Sequence, residues 1–136
     1  MLKRAIWTWH TIADELDQHW ITHYKDWRIN EKHYGALQGL DKDDSQFISK
    51  EKLDYWRSSF DVSPPSLGLD DYRHPSHEAK YQYVPQKSLP GVESMKDTVD
   101  RITPFWYNQI CRKVMNNKKV IIVSHKNTLR AFFKHI

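Results

Sequence analysis

The chain has 136 residues, 21 Lys and Arg against 17 Asp and Glu, and a formal charge of +4, which is the length of one domain and enough to bury a core. Aromatic residues at 13% exclude a disordered chain despite a mean hydropathy of -0.79. The single cysteine, Cys111, excludes an internal disulfide, and no apolar run reaches membrane-spanning length. MLKRAIWTW lacks the apolar stretch of a signal peptide, so a reducing, cytoplasmic location is expected. The basic excess suits an anionic ligand, a phosphorylated metabolite or nucleic acid, and equally an ordinary soluble surface.

Residues 2–20 read as an amphipathic helix, with Leu2, Ile6, Trp9, Ala13, Leu16 and Trp20 at three- and four-residue steps and Asp14, Glu15 and Asp17 opposite. It starts without a capping residue. His19 and His23 have metal-ligand spacing but no third ligand or adjacent Glu, which favours histidines of the core or surface.

The stretch Trp27 to Leu40, WRINEKHYGALQGL, sets Arg28, Glu31, Lys32, His33 and Tyr34 between Ile29 and Leu37, and Gly35 and Gly39 follow. It is expected to be a strand end running into a titratable cluster, where α/β proteins place chemistry. With Arg28 and Lys32 close by, Glu31 is placed to give and take protons. The same pattern also fits a solvated turn with a surface ion pair.

Asp41 to Asp44 fails as a calcium loop, since Gln46 and Lys52 stand where Gly and Glu are required. Asp41 is expected instead to cap a helix over about 42–60, with Phe47, Ile48, Leu53, Trp56 and Phe60 on its apolar side. Residues 61–91 hold five of the six prolines and read as an irregular loop. A second long helix is predicted from Glu93 to about Asn116, kinked or divided near Thr103 by Pro104. Its apolar side carries Met95, Val99, Ile102, Phe105 or Trp106, Ile110 and Val114, with Cys111 one residue off. Asn116 to Lys119 is a predicted turn. Val120 to Val123 reads as a buried parallel strand with His125 at its carboxyl end. Asn127 and Thr128 can cap the helix that follows, with Leu129, Ala131, Phe132 and Phe133. Strand, histidine and helix start make an anion site, or an ordinary turn with an incidental histidine.

The run RINEKHYGALQGL resembles the RLNERHYGxLxGL signature of cofactor-dependent phosphoglycerate mutases, in the histidine phosphatase superfamily. LKRAIWT, LPGVESMKDTVDRITPFW and VIIVSHKNTLRAFFKH agree with that family in order and approximate spacing, so the resemblance covers nearly the whole chain. It implies an α/β fold of three layers with a mostly parallel sheet, incomplete in this chain. Residues 1–136 would form one partial domain, and 61–91 a lid-like loop. The implied reaction interconverts 3- and 2-phosphoglycerate through a phosphohistidine, primed by 2,3-bisphosphoglycerate and without a metal.

On the same resemblance Arg4 is the phosphate-pocket arginine, Glu31 the general acid and base, and His125 the second active-site histidine flanking the phosphoryl group. Lys32, Tyr34, Lys42, Arg57 and Asn127 are implied to contact the substrate. Ser58 replaces the second arginine of an Arg-Arg clamp, and Lys126 replaces a glycine. Arg73-His74 is followed by Pro75, and no Arg-His-Gly nucleophile motif occurs. The strand bearing that motif is expected ahead of Met1 and a further tail beyond Ile136, so this chain alone is expected to be inactive. Two other readings stand beside the mutase. One is a non-catalytic remnant that binds a phospho-ligand or partner, for which Ser58 and Lys126 speak. The other is a nucleic-acid-binding module, which the absence of a clustered basic stripe counts against. Neither nucleic acid nor membrane is expected as a partner. Homo-oligomer formation and the balance of mutase, synthase and phosphatase activity stay open.

Overall fold

The computed structural model describes residues 1–40 and 48–135, and among them helices and short turns are the regular elements. They fall into two units, Met1–Glu31 with Val99–Ile136, and Lys32–Thr98.

In the first unit, α1 (Lys3–Glu15) begins after an extended Leu2 with no side-chain cap, as its sequence implies. The expected run to Trp20 stops early because Asp17 adopts φ 51°. That left-handed residue lets the Gln18 N–H reach Ala13 O and the Asp17 N–H reach Asp14 O, both at 3.0 Å, which satisfies the last carbonyls. Ala13 is buried, but Trp20, expected on the apolar face, is 79% exposed.

The predicted second helix is α3 (Met95–Phe105), a π-helical turn over Trp106–Cys111 and α4 (Arg112–Met115). Pro104 lacks the N–H that would bond four residues back, and a wider turn follows it. The change of register comes at Trp106 rather than Thr103. Ile102, Phe105 and Ile110 are buried, at steps of three and then five residues. The five-residue step matches a π turn, and it carries Val114 off the expected apolar side into solvent. Asn117 at φ 57° closes α4, with Lys118 N–H to Lys113 O at 3.0 Å, so the predicted Asn116–Lys119 turn is present.

Val120 to Val123 is not a strand in this structure. A strand needs a neighbour to take up its N–H and C=O groups, and among the described residues no segment pairs with it. Val120, Ile122 and Val123 are half-buried and Ile121 is exposed. The α/β sheet implied by resemblance is therefore not formed among the described residues, whose regular elements are helices and short helical turns. The next helix, α5 (Lys126–His135), arises as predicted. The Leu129 N–H bonds to the His125 carbonyl at 2.9 Å, so His125 rather than Asn127 or Thr128 holds the capping position. Ala131 and Phe132 are buried, and the Phe132 ring meets Trp106 edge-on at 6.3 Å.

In the second unit, α2 (Lys50–Ser58) is capped by Ser49, whose hydroxyl accepts from Lys52 N–H at 3.3 Å. The helix expected over 42–60 thus begins at Lys50, and the proposed Asp41 cap lies outside the described residues. Residues 61–91 are irregular as read, with short 3₁₀ turns at Pro75–His77, Ala79–Tyr81 and Gln86–Ser88. They supply much of this unit's core, including Leu67, His74, Tyr81 and Leu89. Ser94 starts α3 through a capping box: its Oγ accepts from Asp97 N–H at 3.1 Å, and Asp97 Oδ2 accepts from Ser94 N–H at 2.8 Å. Burial opposes ionisation of Asp97, but these hydrogen bonds outweigh it and hold its pKa below the usual carboxylate value.

An Asp-aromatic-Arg triplet occurs twice and folds alike, once in each unit. Asp26 Oδ1 accepts from Arg28 N–H at 2.8 Å and Nε at 3.0 Å, and its Oδ2 from Nη2 at 2.7 Å. Asp71 takes the same three donors from Arg73 at 2.9, 3.1 and 2.8 Å. Each triplet makes a tight turn closed by a bidentate ion pair.

Candidate functional site

Glu31 follows a 3₁₀ turn, Trp27–Ile29, and not the expected strand end. The Asp26 carboxylate caps that turn and claims the Arg28 guanidinium, which also lies 5.0 Å from the centre of the Phe105 ring. Burial alone would raise the Asp26 pKa, but the Arg28 hydrogen bonds and charge leave it lowered. Arg28 is thereby a structural residue, not the ion-pair partner expected for Glu31.

Four successive carbonyls of this turn accept hydrogen bonds from side chains distant in sequence. Arg101 Nη1 donates to Trp27 O at 3.2 Å and Arg28 O at 2.7 Å, and its Nη2 to Asn30 O at 3.3 Å. Ser124 Oγ donates to Ile29 O at 2.6 Å, and Thr128 Oγ1 to Asn30 O at 2.6 Å. The Asn30 side-chain oxygen accepts from the Met1 amino group. A carbonyl buried without such a partner would cost about 1–3 kcal/mol, so the set stabilises this turn in one conformation.

Ser124 and Thr128 stand on either side of His125, and His125 is the centre of the site in this unit. Its imidazole is half-buried, and Nε2 has no hydrogen-bond partner among the described residues. Burial lowers its pKa, the charge of Glu31 opposes that, and Arg4 and the Met1 amino group reinforce it. The net direction is down, so the ring is neutral at pH 7. Arg4 and Glu31, far from His125 in sequence, thus both act on its ring in space. Arg4 is exposed on the first turn of α1, and Asn127 is two residues beyond His125 in the first turn of α5.

Three of the remaining site residues belong to the second unit. Lys32 is 3% exposed, with Nζ 5.3 Å from the centre of the Tyr34 ring. Beside them the His33 N–H donates to Glu93 Oε2 at 2.9 Å, and the Glu93 N–H to the His33 carbonyl at 2.8 Å. Arg57 is exposed in the last turn of α2. Ser58, the expected weak half of the clamp, turns its hydroxyl back to Asp54 O at 2.7 Å and offers no charge. Lys42 lies outside the described residues.

Among the described residues no group of three or more His, Cys, Asp and Glu side chains could hold a metal. His19 pairs with Asp14, and the His23 ring lies 5.6 Å from that of Trp9. His74 Nδ1 accepts from Ser76 N–H at 3.2 Å, and His77 Nε2 donates to Leu69 O at 2.9 Å. These histidines serve turns and packing.

The residues that sequence reasoning missed are Arg101, Ser124, Thr128 and Asp26. Asp26 could have been found from the Asp-x-Arg spacing, a known turn chemistry. The other three bond to backbone carbonyls, which carry no side-chain signature, and nothing in the sequence marks such partners.

No family model matches the chain. Curated relatives do. It is 44% identical over 137 residues to a protein of Xylella fastidiosa (strain M12), covering all of this chain and 55% of that one. It is 43% identical to a protein of Borreliella afzelii (strain PKo), with 100% and 55% coverage. A third, from Buchnera aphidicola subsp. Acyrthosiphon pisum (strain 5A), is 44% identical, with 100% and 59% coverage. All three bear the name 2,3-bisphosphoglycerate-dependent phosphoglycerate mutase. Along its whole length the chain is a homologue of the 2,3-bisphosphoglycerate-dependent phosphoglycerate mutases, and it spans about half the length of the curated relatives it matches.

Proposed function

We propose that this chain belongs to a cytoplasmic phosphoglycerate mutase of glycolysis and gluconeogenesis, and supplies its proton-transfer and phosphoryl-contact groups. The observation that carries this reading is the meeting of Arg4 and Glu31 charge on a neutral His125 whose Nε2 has no partner among the described residues. Bound phosphoryl oxygens need cations and N–H donors, and Arg4 with the Nε2–H tautomer of His125 supplies both. Asn127 lies in the first turn of α5, two residues beyond His125, where the positive end of the helix dipole favours an anion. Glu31 takes the proton of a substrate hydroxyl and returns it. These groups fit 2,3-bisphosphoglycerate, which when bound donates the priming phosphoryl group. Lys32, Tyr34, Lys42 and Arg57 enter as substrate contacts on the resemblance alone. On the same footing, Val120–Val123 becomes a strand of an α/β sheet when the rest of the mutase is present.

A second reading is favoured by Ser58, whose hydroxyl is spent on its own helix, and by the exposed Lys126 where the family has glycine. On that reading the chain binds a phospho-ligand without turning it over.

Titration of the labelled chain with 3-phosphoglycerate and 2,3-bisphosphoglycerate, followed by NMR, tests the shared part of both readings. The His125 ring and Arg4 guanidinium signals should move on addition of either ligand, and His125→Ala or Arg4→Ala should weaken binding severalfold. Binding unaltered by both substitutions would remove the site.

A further inference from the structure

We infer that Arg101 and Thr128 are positioning residues: through the Asn30 carbonyl they set where Glu31 stands relative to His125. The inference rests on the proposed pairing of Glu31 and His125, and extends it to residues with no assigned role.

Glu31 has no regular element of its own, since it follows a single 3₁₀ turn. A short turn of this kind keeps its place only if its backbone groups are held from outside. The Asn30 carbonyl, one residue before Glu31, is held twice, by Thr128 Oγ1 at 2.6 Å and by Arg101 Nη2 at 3.3 Å. Thr128 is wholly buried, and it sits on the first turn of α5, three residues from His125. Ser124, the residue before His125, holds the Ile29 carbonyl in the same way. One end of each tether is therefore covalently close to His125 and the other to Glu31.

Arg101 completes the arrangement from α3. Its planar fork spans three carbonyls, those of Trp27, Arg28 and Asn30, and lysine has no second nitrogen with which to do so. Among the described residues the charged groups that act on His125 are Glu31, Arg4 and the Met1 amino group. Arg101 is not among them, and the bonds described for it are those to the carbonyls of the turn.

The test uses the whole chain and no ligand. The His125 ring is titrated by NMR in the wild type, Glu31→Gln, Thr128→Val, Thr128→Ser and Arg101→Lys. Glu31→Gln should shift the His125 midpoint downward, because it removes a negative charge that favours the protonated ring. Thr128→Val should reproduce most of that shift, since it keeps the shape and loses the hydroxyl. Adding Glu31→Gln to Thr128→Val should then change little more. Thr128→Ser, which keeps the hydroxyl, should titrate like the wild type. Arg101→Lys reads the same coupling independently should Thr128→Val fail to fold. A folded Thr128→Val or Arg101→Lys chain with full Glu31–His125 coupling would overturn the inference. If the wild type binds no phosphorylated ligand but these shifts appear, the functional reading fails and the positioning role stands.

Discussion

Gly35 and Pro65 approach so closely that a Cβ on Gly35 would lie 2.2 Å from the Pro65 carbonyl oxygen. The same oxygen accepts from Ala36 N–H at 2.9 Å, and Gly35 itself has φ +57°. Only glycine meets both demands. Gly39 has φ +81° but open space where its Cβ would be. Gly35→Ala should therefore lose more than about 2 kcal/mol of stability, through strain and displacement of Pro65, and Gly39→Ala only about 1 kcal/mol. Urea unfolding of the two variants checks the difference. Equal losses would mean that backbone conformation alone matters at Gly35.

The acid limb of stability should have two steps. His125 and His74 have pKa values lowered from the ordinary 6.5, in both cases first by burial. The unfolded chain takes up protons near that value while the folded chain does not, so stability is complete above it. It falls as pH drops toward the lowered folded values. Melting temperature should decline by roughly a few degrees between neutrality and mild acid, and less so in His125→Gln. Asp71 gives the second step. Hydrogen bonds from the Arg73 side chain hold its pKa at about 2 instead of 3.8, so its contribution is lost only as pH falls through that interval. Asp71→Asn should remove that lower step. A melting temperature independent of pH from neutral to mildly acid conditions would refute the histidine assignment.

Asp17 offers a gain. It occupies the left-handed position that ends α1, at φ 51°, and adds a negative charge at a helix C-terminus. Asp17→Gly should stabilise the chain by about 0.5–1 kcal/mol. Asn117→Gly should give less, because Asn tolerates this conformation and carries no charge. Thermal unfolding of both variants settles the order.

Catalysis separates the mutase from the silent remnant. Phosphoryl transfer through a phosphohistidine needs an in-line nucleophile, and these 136 residues contain no Arg-His-Gly. The chain mixed with 2,3-bisphosphoglycerate should gain no phosphohistidine mass and interconvert no phosphoglycerate. Fusion to a segment carrying Arg-His-Gly should restore turnover if the other groups are competent. If Ser58 and Lys126 have disabled the site, the fusion should fold and stay silent until Ser58→Arg and Lys126→Gly are added. Turnover by the unmodified chain, abolished in His125→Ala, would reverse the assignment of roles.

Local chemistry was legible in the sequence wherever its cause is local. The uncapped start of α1, the turn at Asn116–Lys119, the helix after His125 and the irregular proline-rich 61–91 segment all follow from neighbours within a few residues. Glu31 and His125 stand out by their own neighbours, whereas Arg4, and the joining of all three in one site, follow only from the family motifs, because no spacing rule links positions so far apart. Tertiary structure decided the rest. It assigned Arg28 to Asp26 and gave the carbonyls around Glu31 to Arg101, Ser124 and Thr128. Among the described residues it also left Val120–Val123 without a strand's pairing. Each of these outcomes turns on backbone hydrogen-bonding groups, which are the same at every residue, so only their placement in space determines which side chain or strand satisfies them.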